Sequence, residues 1–143
     1  MSYKQWNAVV MLASVVVIGL WVAIGALSSG DWAGPVSPAA WRVLWGVIWS
    51  ILFNIVAIIA VTILVSIVRR EEFKDERADE RDVAIRDKSY RNAYFVASIG
   101  GLLVLMALAF GIGPALAVYG LFAALWAAGA ATEISRLAYY RIS

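Results

Sequence analysis

Residues 43–68 read VLWGVIWSILFNIVAIIAVTILVSIV, and residues 69–88, which follow directly, read RREEFKDERADERDVAIRDK. The first stretch carries no charged side chain, and the second carries little else. A charge at mid-bilayer costs at least ~2.5 kcal/mol, so this apolar run reads as a membrane span and the charge block as its aqueous boundary. The same pattern recurs on both sides, because residues 5–30 and 92–132 are also free of charge. The second of these runs is too long for one span of about 20 residues. Gly111-Ile112-Gly113-Pro114 breaks it into two near-standard ones.

The reading is therefore an all-α membrane protein, a single domain over residues 1–143 with four transmembrane helices. They are expected at about 5–27, 39–68, 91–110 and 114–139, with the second extending as a charged helix to about residue 88. Composition agrees. Hydrophobic residues make up 63% of the 143, well above the ~45–50% of soluble domains. Ala26-Leu27-Ser28 resembles a signal-peptide cleavage site, but the apolar stretch Ala8–Leu27 exceeds a signal core of about 7–15 residues. An uncleaved first span is expected.

Orientation follows from the basic residues. The chain has 12 lysines and arginines; most lie between Arg69 and Arg91, Lys4 precedes the first helix, and Arg136 and Arg141 follow the core of the fourth. Arg42 alone lies on the other side. The positive-inside rule counts these residues and largely ignores acids, which puts residues 69–91 and both termini in the cytoplasm. Trp32, Trp41 and Trp45 fall near the outer boundary, and Tyr90, Tyr139 and Tyr140 near the inner one, as interfacial aromatics do. Trp41, Trp45 and Trp49 also form a stripe at four-residue spacing. An interfacial anchor is the simpler account of it, and an outward-facing ligand site the sharper one.

The chain has no cysteine and no histidine. That excludes disulfides, thiolate zinc, cysteine nucleophiles and histidine-ligated metal or haem. No acidic residue falls at the midplane of a span, which argues against a transporter built on an intramembrane carboxylate. Asn54, near the middle of the second helix with Ser50, Thr62 and Ser66, needs a partner at that depth; it is either structural glue or part of a pathway. Glu133 and Arg136 stand close enough to pair or to reach the interface. Small residues recur every fourth position as Gly120, Ala124 and Ala128, as Ala123, Ala127 and Ala131, and as Ala93, Ala97 and Gly101. That spacing lets helices approach, within one bundle or across a dimer.

The charged segment is the most informative. Wound as a helix, it would gather Arg70, Lys74, Arg77, Arg81 and Lys88 on one face and Glu71, Glu72, Asp75, Glu76, Asp79, Glu80 and Asp82 on the other side. Like charges at one-turn spacing weaken an isolated helix, a cost that is offset if each face meets its opposite elsewhere. A solvated extension and pairing between copies both fit. Cation binding by Asp75, Glu76, Asp79 and Glu80 is the third reading, opposed by the arginines that already neutralise them. Asp79-Glu80-Arg81, then Ile85 and Lys88, then Tyr90, Tyr94 and Phe95 at a span start, resembles a family of small prokaryotic four-helix membrane proteins of no assigned function. The resemblance implies a multi-pass protein of the bacterial inner membrane that works beside a cytoplasmic regulatory protein, and it brings no catalytic residues.

The expectation is thus a non-enzymatic protein that acts by self-association, with a dimer favoured, or as an adaptor through residues 69–91. The alternative is a small transporter or channel built from an oligomer, with Trp41, Trp45, Trp49 and Asn54 along its path. No cofactor, metal, catalytic residue or direct nucleic-acid contact is expected.

Overall fold

A computed structural model describes the backbone of residues 3–69 and 80–142. It is all-helical: α1 (Tyr3–Ser29), α2 (Val36–Arg69), α3 (Glu80–Ala109) and α4 (Pro114–Ile142), with one 3-10 turn, Asp31–Ala33, between α1 and α2. All four helices are long and apolar enough to cross a membrane. Of the 34 residues of α2, about 20 would cross a ~30 Å hydrocarbon layer upright, so this helix tilts or protrudes.

The turns explain the breaks. Gly30 adopts φ 69°, a left-handed conformation that costs an ordinary residue ~1–2 kcal/mol, and its N–H donates to the Ala26 carbonyl to close α1. Gly111 (φ 88°) closes α3 in the same way. Its N–H donates to the Leu108 carbonyl while Ile112 N–H donates to that of Ala107, the paired bonds of a Schellman motif. Two residues later Pro114 opens α4, where its missing N–H is no loss.

Close contacts set the directions. Gly46 lies against Val22, and Gly100 and Gly120 lie against Ala124 and Val104. Trp126 lies against Gly19. Each pairing runs one chain position up as the other runs down, so α1 with α2, α1 with α4 and α3 with α4 are antiparallel. The helix α4 is the hub, touching α1, α2 and α3, while α3 touches α4 alone among the described residues. Its composition is the reason. Alanines and glycines on several sides of α4 let three backbones approach, where hydrocarbon solvent offers no hydrophobic drive. The small core of Ile18, Val22 and Phe122, flanked by Val43, Tyr119 and Trp126, lies where α1, α2 and α4 meet. Many large apolar side chains of the four helices face outward, and no residue in the most apolar stretch of α2 is buried.

One expectation is corrected. Residues 80–88 are not the far end of an extended α2 but belong to α3, which is already helical at Glu80, ahead of the expected start near Arg91. No glycine or proline interrupts α3 between Glu80 and Gly100. Of the two adjacent glycines of α3, Gly100 meets α4, while Gly101 has open space where a side chain would stand.

Candidate functional site

Three polar arrangements stand out, and the largest is the charged start of α3. Ile85 and Ser89, one turn apart, are buried. The Ser89 hydroxyl donates to the Ile85 carbonyl at 2.8 Å, so it carries no unpaired donor inward. Tyr140 of α4 donates to Asp82 Oδ1 at 2.9 Å. Asn92 Nδ2 donates to Ser135 Oγ at 3.0 Å and to the Tyr139 hydroxyl at 3.2 Å. The Lys88 ammonium sits 5.9 Å from the centre of the Tyr139 ring, within cation–π range. About twelve residues of charged helix are thereby held on the end of α4, standing ~18 Å beyond the uncharged part of α3.

Of the residues singled out in the charged segment, Glu80, Arg81, Asp82, Ile85 and Lys88 belong to this platform. Glu80, Arg81 and Lys88 are exposed. Arg70, Lys74, Asp75, Glu76, Arg77 and Asp79 lie outside the described residues. So do most members of the basic and acidic faces, and all of the carboxylates offered as cation ligands except Glu80. Arg86 and Asp87 pair at 3.5 Å in solvent, an arrangement that adds little to stability. Below the platform on α4, Arg136 Nη1 donates to both oxygens of Glu133, at 3.2 and 3.1 Å.

The opposite end holds a polar knot that sequence reasoning passed over. Arg42 Nε donates to Asp31 Oδ2 at 2.9 Å, Arg42 Nη2 to Ser29 Oγ at 3.0 Å, and the Tyr119 hydroxyl to Asp31 Oδ1 at 2.7 Å. Gly25 makes the room, since a Cβ there would run into the guanidinium. Burial disfavours ionised Asp31, but the hydrogen bonds from Tyr119, Arg42 and Ser29 outweigh it and hold the carboxyl below its usual range. The signal was present in the sequence: Asp31 and Arg42 are the only charges between residues 5 and 68. Their pairing ties α2 to the turn, and the Tyr119 hydrogen bond adds α4.

Between α1 and α4, on the same half of the molecule, runs an open groove of about 760 Å³. Gly19, Ala23, Ala123 and Ala127 form part of its lining, with Trp32 and Leu27 toward the Asp31 end. Phe122 and Trp126 stack at 4.6 Å beside it, and Trp126 Nε1 donates to the Val15 carbonyl at 2.6 Å. Thus the two small-residue stripes of α4 part company. Ala124 and Ala128 are buried, whereas Ala123 and Ala127 face this groove.

Trp41, Trp45 and Trp49 are 60%, 50% and 52% exposed on the outside of α2, and none of them lines the groove. Asn54 donates from Nδ2 to Ser50 Oγ at 3.4 Å, a long bond within its own helix. Comparison with protein-family models, with curated proteins and with solved structures finds no match.

Proposed function

We propose that this is a non-enzymatic, multi-pass protein of the bacterial inner membrane that acts by association. In this reading the start of α3 is its cytoplasmic contact surface, the termini are cytoplasmic, and a second copy is the favoured partner. The observation that carries it is the clamp of Asp82 on Tyr140 and of Asn92 on Ser135 and Tyr139. A charge run held on a neighbouring helix is a stiff surface, and a stiff surface loses less entropy on docking than a loop. Acidic Glu80 and Asp87 are interspersed with basic Arg81, Arg86, Lys88 and Arg91 along it, which suits pairing with its own copy about a two-fold axis. A cytoplasmic regulatory protein of complementary charge is the other partner this surface fits. The resemblance of the Asp79-Glu80-Arg81, Ile85, Lys88 signature to small prokaryotic membrane proteins supports the location.

The transporter alternative has less support. The groove between α1 and α4 is lined by apolar side chains and includes neither Asn54 nor the tryptophan stripe.

Oligomeric mass in nanodiscs, at low and high salt, tests the proposal. A dimer that loosens with salt, and with Arg81→Glu and Arg86→Glu together, is expected. Glu80→Arg and Asp87→Arg added to that variant should restore it. Neither mass nor capture of a cytoplasmic protein changing under charge reversal would sink the idea.

A further inference from the structure

Two buried oxygens have no hydrogen-bond partner among the described residues, Ser14 Oγ and Asn54 Oδ1. Ser14 is only 1% exposed. The register of α1 against α2 brings the two to one level. Val22 lies against Gly46, with Ile18 beside the same glycine. Stepping back one turn along α1 gives Ile18 and then Ser14, and stepping on along α2 gives Ser50 and then Asn54. Position numbers in the two helices sum to the same value for Val22 with Gly46 as for Ser14 with Asn54. Ser14, Ile18 and Val22 form one four-spaced row on α1, as Gly46, Ser50 and Asn54 do on α2, so the polar ends of the two rows share the α1–α2 seam.

We infer that Ser14, Ser50 and Asn54 form a binding site for one water molecule in the middle of the α1–α2 seam. An orphaned polar atom in hydrocarbon is costly, and a buried water normally has two to four polar partners. Here Asn54 Oδ1 accepts from it, the Ser14 hydroxyl gives or takes a second bond, and Ser50 Oγ is the third partner. The argument survives exchange of the amide's oxygen and nitrogen. One of them meets Ser50 and the other is left facing the seam. The occupant is neutral, because residues 5–30 and 43–68 contain no charge to balance a cation at that depth.

A crystal structure of the whole chain from a lipidic phase, refined at a resolution that shows waters, is the direct test. Density within ~2.6–3.2 Å of both oxygens is expected. The thermal midpoints of Ser14→Ala, Asn54→Leu and their combination give a second readout. Each single change strands the other polar group and lowers the midpoint, whereas the double change leaves none stranded and costs less than the larger single one. A direct Ser14–Asn54 hydrogen bond, an empty seam, or additive losses would overturn the inference. So would a midpoint that rises with sodium or lithium and loses that response in Asn54→Leu, since the occupant would then be a cation.

Discussion

Gly25 matters because of what it lacks. With no side chain it lets the Arg42 guanidinium lie across α1 and reach Ser29 while Nε keeps Asp31. Gly25→Ala would displace a flexible tip rather than backbone, so the cost comes from lost hydrogen bonds and not from a clash. Hydrogen bonds to charged groups are worth about 1.5–3 kcal/mol. The pair is partly open, with side chains 25% and 10% exposed, which draws the effect to the lower end of that range. Gly25→Ala is therefore expected to destabilise by about 1–2 kcal/mol, and to be neutral or slightly stabilising in an Arg42→Ala background, where only helix propensity is left. Reversible unfolding in detergent measures both legs of the cycle. Equal losses in the two backgrounds would show that Gly25 acts on the helix itself and not through the guanidinium.

At the scale of the element, two adjacent glycines of α3 should behave oppositely. A Cβ on Gly100 would stand 2.5 Å from that of Ala124 and 3.2 Å from its Cα, whereas one on Gly101 meets nothing within 4 Å. Gly100→Ala must push α3 off α4, the one helix α3 packs against among the described residues. Gly101→Ala should be neutral or stabilise by ~0.5–1 kcal/mol through helix propensity. Opposite shifts in the thermal midpoint are expected. The four-residue spacing of Ala93, Ala97 and Gly101 marked α3 as a packing helix without choosing between one bundle and a dimer. Either of two neighbours lies close to such a face, and only the rotation of α3 against α4 chooses between them. The start of α3 teaches a related lesson. Residues 80–88 have no breaker on either side, so helicity alone could join them to α2 or to α3. Buried Ile85 and Ser89 and the Asp82–Tyr140 bond tie them to α3 and α4.

For the whole molecule, alternation of the helices places the Asp31 turn and the start of α3 at opposite ends. The chain has no cysteine, so single cysteines are clean probes. Ser28→Cys and Arg86→Cys should react with an impermeant thiol reagent from opposite sides of a sealed membrane, with Arg86→Cys on the cytoplasmic side. Labelling from one side would contradict the alternation. The open arrangement also has a consequence for association. Because α2 and α3 pack on α4 without touching each other among the described residues, each keeps an apolar outward face, and lipid or another protein covers it.

Length, charge gaps and breakers determined most of the architecture by themselves. Four uncharged stretches long enough to cross hydrocarbon, cut by Gly30, Gly111 and Pro114, leave few alternatives to four helices, because hydrocarbon admits no unsatisfied backbone. Glu133 with Arg136 was equally legible, since partners three residues apart on one helix need no tertiary fold to meet. Contacts between distant positions were not. The Asp31–Arg42–Tyr119 knot, the Asn92 bonds to Ser135 and Tyr139, the choice of Gly100 and the level shared by Ser14 and Asn54 all depend on how helices are rotated and shifted against one another. An apolar periodicity cannot carry that information when lipid and core are equally apolar. Close approach at small residues decided it, at Gly25 and Gly46 between α1 and α2, at Gly19 beneath Trp126, and at Gly100 and Gly120 between α3 and α4.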